Sequence, residues 1–254
     1  MSREKLVIRD NSTLRAQYNS LLKGDIVVGR LRLWESEEPL LLDLHERGVH
    51  LIPPGLSQLV SRSKTFQTAL FPKFMLPQTR AIHALHDLIE ALSDYQKSAI
   101  TAVITKLDRR NAGMGVHLWQ SIEEVYTHAS LGNIPFPFVL QPFEPECRDI
   151  RVVFLDDYIE AYWRHNPYSF RNNLHHGGQS KPCELSEEQI KLCRQVMERG
   201  CFPYGHLDIL VTKDGKSYLG EINLRGGIQG AKISPEEYQE KVEAIHQMLL
   251  QKVD

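Results

Sequence analysis

Glu221 and Asn223 stand two residues apart in the stretch YLGEINLRGG, Tyr218 to Gly227. Leu219, Ile222 and Leu224 make the run strand-like, and side chains two apart on a strand leave from the same face. The carboxylate and the amide therefore offer several oxygen lone pairs to one point, which suits a hard divalent cation. The other reading of these residues is a half-exposed edge strand with a polar face and a glycine turn. Asp208 lies in an upstream strand, HLDILV, joined to this one through Lys213-Asp214-Gly215-Lys216. Asp-Gly is a strong hairpin signal, and pairing about it sets Asp208 opposite Glu221 and Asn223, although a one-residue slip would reverse its face. Asp208, Glu221 and Asn223 form an oxygen-only set that binds Mg²⁺ best when phosphates and water complete its shell. Converging without a cation they would repel, so the hairpin itself argues for a metal.

Phosphate binding needs cationic and backbone donors. Lys106 ends the β-branched run AVITKL and leads into the loop NAGMG. Gly113 and Gly115 remove side chains where backbone N–H groups would approach a phosphate. A solvated lysine and a flexible turn are the plainer readings of the same residues. Arg171, Asn172 and Asn173, followed by His175, His176, Gly177 and Gly178, form a second polar cluster able to hold an anion, though an exposed loop has a similar composition.

The elements that position these residues are legible in outline. KLVIRD and GDIVVGRLRL read as strands, PLLLDLHERG as a helix closed by Gly48, and VHLIPP as a strand stopped by Pro53 and Pro54. Strand, helix, strand in succession predicts parallel pairing. SRSKTFQTALF and AIHALHDLIEAL read as helices, the second on the spacing of Ile82, Leu85, Leu88, Ile89 and Leu92. SIEEVYTHA is a helix capped by Ser121. FVLQPF is a strand, and DIRVVFL and YIEAYWRH are two more, joined at Asp156-Asp157 and followed by the long polar loop NPYSFRNNLHHGGQSKP. Ser186 and Ser234 open the last two helices, and Pro235 takes the first position of the second.

The 254 residues carry a formal charge of −2, with 42% hydrophobic and 24% charged residues. This balance gives no general argument for nucleic acid or a membrane surface as partner. No apolar run approaches a membrane span, and MSREKLVIRD lacks the pattern of a secretory signal. Cys147, Cys183, Cys193 and Cys201 form no C-x-x-C pair, and read as free thiols of a cytoplasmic protein.

In order along the chain, SRSKTFQTALF with MLPQT, VITKLDRRNAGMGV, VLQPFEPECRDIRVVFL, FRNNLHHGG, HLDILV and GEINLRGGIQG resemble motifs of the ATP-grasp superfamily, particularly its ribosomal-protein glutamate ligase (RimK-like) branch. The resemblance runs from about Ser61 to Lys232. It implies an α+β fold in which two subdomains, about 61–138 and 139–254, grip ATP between antiparallel sheets, preceded by a shortened α/β lobe over 1–60. It also implies roles. Lys64 and Lys106 would contact the phosphates of ATP under the Gly113–Gly115 loop. Gln141, Pro142 and Phe143 would form the adenine hinge, and Asp149, with Glu146 as rival, would hold the ribose. Asp208, Glu221 and Asn223 would hold two Mg²⁺, or Mn²⁺. Arg171, Asn172 and Asn173 would meet the γ-phosphate and an acylphosphate, and Arg151 a carboxylate.

The implied chemistry is attack of a carboxylate on the γ-phosphate followed by capture by an amine, with no protein nucleophile. Two departures matter. The family's Asn-x-Ser-Pro-Gly ending is here Asn223-Leu224-Arg225-Gly226-Gly227, which sets Arg225 beside the metals where it could bind a substrate carboxylate. The segment before Ser61 is short for a substrate domain, so the amine and carboxylate substrates stay open among amino acid, peptide and protein tail. A partner subunit completing the site, an ATP-binding regulatory module without turnover and an ATP-grasp phosphotransferase are the other readings.

Overall fold

The computed structural model describes residues 3–110, 113–172, 174 and 177–253. The chain opens with β1 (Val7–Ile8), α1 (Asn11–Gln17), β2 (Ile26–Val28), α2 (Pro39–Glu46) and β3 (His50–Ile52). The three strands pair in parallel in the order β1-β2-β3, as expected. Helix α1 was not foreseen. Asp10 caps it, accepting from Thr13 N at 2.9 Å, and Leu14 is its buried residue. The strand expected over GDIVVGRLRL stops at Val28 because Gly29, at φ +110°, donates its N–H to Ile52 O and turns the chain off the sheet. Gly48 closes α2 as expected, at φ +74°, the left-handed conformation glycine adopts without a Cβ penalty.

Next come α3 (Gly55–Val60), α4 (Lys64–Leu70), β4 (Arg80–Ile82), α5 (Leu85–Lys97), β5 (Val103–Leu107), β6 (Val116–Trp119), α6 (Ile122–Ser130) and β7 (Phe138–Pro142). The helix expected across SRSKTFQTALF is interrupted: Ser63 is extended and caps Phe66 N, which makes Lys64 the first residue of α4. Ile82 lies on β4, not on the helix its spacing suggested, and pairs with Phe138. The Asp87 carboxylate accepts from His83 N at 2.7 Å and Ala84 N at 3.0 Å, fixing the helix start after them. The four strands form an antiparallel sheet, β4-β7-β5-β6, over a core that includes Leu88, Tyr95, Val125 and Phe138.

The last third contains β8 (Arg148–Leu155), β9 (Tyr158–His165), β10 (Gln179–Cys183), α7 (Glu187–Arg199), β11 (Tyr204–Val211), β12 (Ser217–Asn223) and α8 (Pro235–Gln251). The expected long loop ends early, because Gln179–Cys183 returns as an edge strand along β9. Its residues are mostly exposed and polar, so it carries no apolar alternation to read. The antiparallel sheet β10-β9-β8-β11-β12 covers the largest core, with Val152, Leu207, Ile209 and Val196 inside. Among the described residues no helix is long and apolar enough to cross a membrane.

Candidate active site

The hairpin β11–β12 sets Asp208 directly opposite Glu221 and His206 opposite Asn223. The register then shifts between Asp208 and Ile209, which faces Leu219, so that Gly220 is the extra residue of a bulge. A Cβ on Gly220 would lie 3.2 Å from Asp208 O, a close approach that glycine permits. The outer edge of β12 is closed by side chains and a loop instead of another strand. Gln67 of α4 gives Nε2 to Ile222 O at 2.9 Å and accepts from Ile222 N at 3.0 Å. Ser61 accepts from Leu224 N at 3.0 Å, and Leu219 N donates to Phe74 O at 2.7 Å.

That docking brings the start of α4 to the hairpin: Lys64 Nζ lies 3.2 Å from Glu221 Oε1 and donates to Arg110 O at 2.7 Å. Asp108, just beyond β5, accepts from Ser63 Oγ at 3.1 Å and Thr65 N at 3.0 Å. A carboxylate at a helix N-terminus is favourable, and here it ties the strand of Lys106 to the helix of Lys64. Lys106 Nζ reaches Gly220 O at 3.4 Å. Burial pulls the Lys106 ammonium below the usual lysine value, opposed by Glu221 and reinforced by Lys64.

Arg164 organises the acids behind this group. It is 6% exposed, with Nε 2.5 Å from Asp149 Oδ1 and Nη2 3.0 Å from Asp208 Oδ2, while Arg151 Nε lies 2.7 Å from Asp208 Oδ1. Burial pushes the Asp208 carboxyl up, but Arg151 and then Arg164 outweigh it and hold it below the ordinary carboxylate value. Burial raises Asp149 above that value, with Arg164 pulling the other way. Asp149 feels the neighbouring Asp208 carboxylate as a further raising cause, whereas Asp208 itself touches two guanidiniums. The expectation that the oxygen set must repel without a cation is therefore corrected: Arg151, Arg164 and Lys64 already neutralise it.

The donor set nevertheless fits a hard cation. Asp208 Oδ1 is buried without a hydrogen-bond partner, because Arg151 is close but not aligned. Glu221 and Asn223 stand beside it, with Asn223 Nδ2 donating to Glu221 Oε1 at 3.0 Å. The described residues hold no cluster of three His, Cys, Asp or Glu side chains suited to a metal. A cation here would thus take its remaining ligands from phosphate oxygens and water.

These residues line one cavity of about 930 Å³, near the upper end of the ~300–1,000 Å³ of small-molecule sites. Lys64, Lys106, Gly113, Gln141, Asp149, Arg151, Arg171, Asn172, Asp208, Glu221, Asn223 and Arg225 all reach it. Three others do not line it. Pro142 lies in the strand pairing opposite Val103. Phe143 donates its N–H to Ala102 O at 3.0 Å and sets its ring edge-on to Phe170, itself a lining residue. Gly115 closes the β5–β6 hairpin, where a Cβ would meet Leu107 Cβ at 2.9 Å and Arg110 Cβ at 2.7 Å. Arg171 stacks on Phe170 and donates Nε to Val116 O at 3.1 Å. Asn172 accepts from Asn166 N at 3.1 Å. Glu146 pairs with Lys213 on the surface at 2.9 Å. Asn173, His175 and His176 lie outside the described residues.

Sequence reasoning missed Arg164, Asp108, Gln67 and the rim residues Arg30 and Trp34. For Arg164 a signal existed: a turn at Asp156-Asp157 pairs Asp149 with Arg164, as observed.

Several known proteins are similar to this chain. A tetrahydromethanopterin:alpha-L-glutamate ligase of Methanocaldococcus jannaschii is 32% identical over 85 residues, 33% of this chain and 29% of that protein. The crystal structure of a D-cycloserine synthetase superposes with a TM-score of 0.63 at 14% identity, covering 97% of this chain and 100% of that one. An ATP-grasp ligase of Chryseobacterium gregarium, associated with ribosomally made peptides and solved with ADP and a leader and core peptide, gives 0.60 at 16% identity over 89% and 76% of the two chains. The fold is the ATP-grasp fold, as the resemblance implied. The RimK-like ATP-grasp domain profile matches residues 60–247, well over half of the sequence, and the chain belongs to that family.

Proposed function

We propose that this protein is an ADP-forming, ATP-dependent carboxylate–amine ligase that joins its substrates through an acylphosphate. The observation that carries the reading is the convergence of Lys64 and Lys106 with Asp208, Glu221 and Asn223 on one cavity from distant parts of the sequence. Lys64, Lys106 and the backbone near Gly113 would hold the phosphates, and Gln141 with the Phe143–Phe170 pair would meet the base. Asp149, already partnered by Arg164, would meet the ribose. Magnesium bound by Asp208, Glu221 and Asn223, as one ion or two with Mn²⁺ as substitute, would neutralise charge on the transferred phosphoryl group. Lys64 would exchange its contact with Glu221 for a phosphate oxygen, and Arg151 its contact with Asp208 for a carboxylate. Arg171, with Asn172 and Asn173, would meet charge developing near the acyl centre. The partners would be an amino acid, peptide or protein tail, and the four free thiols suit a reducing cytoplasm.

The test is ADP release from Mg-ATP with pooled amino acids and short acidic peptides, wild type beside Glu221→Ala, with mass spectrometry of the products. A mass gain of a condensed amino acid, with turnover lost by about 100-fold or more in the variant, supports the ligase. Phosphorylated product without condensation identifies a phosphotransferase. Mg-ATP binding without turnover on any substrate identifies a regulatory module, and no ATP binding removes the reading.

A further inference from the structure

Among the buried polar atoms without a hydrogen-bond partner are Arg151 Nε, Asp208 Oδ1 and His206 Nδ1. A polar atom buried in this state calls for an explanation. The sheet shows why the three residues meet. Arg151 of β8 pairs with Asp208 of β11, and His206 stands two residues before Asp208, so their side chains leave the same face. His206 is only 1% exposed. Gly226, in the cavity wall, lies against it. A Cβ on Gly226 would be 2.5 Å from Arg151 Nη1 and 2.9 Å from His206 Nδ1. Both nitrogens therefore face one point, and glycine keeps a side chain from coming between them.

The imidazole is fixed from behind by α8. Its Nε2 lies 2.9 Å from Tyr238 Oη, with the ring centroids 5.4 Å apart. Burial and the adjacent Arg151 keep the ring neutral, so it carries one N–H. On Nδ1, that proton would point at the N–H groups of Arg151, which accept nothing. On Nε2, it is donated to Tyr238 Oη and leaves the Nδ1 lone pair toward Arg151 Nη1. The bond made by one ring nitrogen thus sets the role of the other.

We infer that His206, oriented by Tyr238, is a positioning residue for Arg151. Arg151 Nε lies 2.7 Å from Asp208 Oδ1 without the alignment of a hydrogen bond. Once Asp208 turns to a cation, that contact weakens, and Nδ1 is the acceptor that keeps the guanidinium aimed into the cavity. The consequence for turnover rests on the ligase reading, since there Arg151 exchanges Asp208 for a substrate carboxylate. The tautomer and the contact with Arg151 do not depend on it.

The test is nitrogen NMR of the full chain carrying ¹⁵N-labelled histidine, with the His206 ring signals identified by their loss in His206→Asn. Wild type should show a bare Nδ1 and a protonated Nε2. Arg151→Lys, which keeps the charge but not Nη1, should shift Nδ1 more than Nε2. Mg-ADP should move Nδ1 further toward a hydrogen-bonded nitrogen in wild type and not in Arg151→Lys. A protonated Nδ1, or an Nδ1 signal indifferent to Arg151→Lys, overturns the inference. Turnover is read on the substrate pair found by the ADP-release screen. His206→Gln, whose amide reaches toward the Nε2 position, should lose about tenfold or more. His206→Asn, whose amide sits near the Nδ1 position, should retain most activity, and Tyr238→Phe should lose less than His206→Gln. In an Arg151→Lys background His206→Gln should add little, because its effect runs through Arg151. Fully additive losses make His206 a merely structural residue and overturn the positioning role. Absence of turnover on every substrate removes the ligase reading, while the nitrogen signals still decide the contact.

Discussion

At the scale of single residues, the site is a balance of buried charges, and Arg164 is its centre. A buried ion that loses its partner is costlier than the pair was worth, because the remaining charge keeps its desolvation penalty. Arg164→Met should therefore destabilise the protein by about 3–5 kcal/mol, read as a drop in the urea midpoint at constant slope. The companion Arg164→Met/Asp149→Asn should recover part of that loss, since it removes one of the stranded carboxylates. Equal stability of wild type and the single variant would show that solvent screens these groups. Arg151 belongs to the same network, but its Nε lacks a hydrogen-bond partner. It is the partner Asp208 can release, whereas Arg164 holds two carboxylates at once.

At the scale of elements, what positions the site is how strands and helices are stapled together. The turn after β12 shows this most directly. Gly226→Ala would drive a methyl group into Arg151 and His206, so we expect turnover to fall by about tenfold or more while the thermal midpoint moves little. Kinetics beside a melting curve separate a displaced Arg151 from a lost fold. Helix α8 offers a pH test. His246 is buried, with Nε2 3.0 Å from Tyr204 Oη, and burial holds its pKa below the ordinary histidine value. Between the folded and unfolded pKa values only the unfolded chain holds the proton, so unfolding free energy rises with pH through that window. Stability should be complete above about pH 6.5 and decline as pH falls below it, by at most ~1.4 kcal/mol per unit. His246→Gln should flatten that decline in denaturant titrations. The elements themselves were unevenly legible. The Asp-Gly hairpin gave Asp208 its observed partner because turn chemistry and alternation agree there. Ile82 misled because a strand residue just ahead of a helix fell in phase with the helix. Strand β10 has no apolar face to announce it. Gln67 closing the edge of β12 is a contact across 155 residues that no local pattern encodes.

At the scale of the molecule, the question is how the N-terminal sheet comes to form a wall of the cavity. Arg109 answers it. It adopts φ +56° just beyond β5, and its guanidinium grips both Glu38 oxygens, at 2.6 and 2.9 Å, with Glu35 at 3.2 Å. That fork joins the chain just beyond the strand bearing Lys106 to the segment bearing Arg30 and Trp34, and so ties two walls of the cavity together. Glu38 is partly buried, with a side chain 12% exposed, and truncating Arg109 would leave it unmatched. Arg109→Ala should cost about 1–3 kcal/mol and speed amide exchange over residues 30–38 relative to β11 and β12. Because this segment lines the cavity, the variant should also raise KM for the substrate seated against the rim several-fold, while the affinity for Mg-ATP changes less. The contrast follows from the architecture: the nucleotide contacts proposed above would come from α4, β5 and the hairpin β11–β12, and α4 is joined to that hairpin through Gln67 and Lys64, not through Arg109. A uniform loss of affinity for both ligands would instead mean that Arg109 acts through the glycine loop beside it.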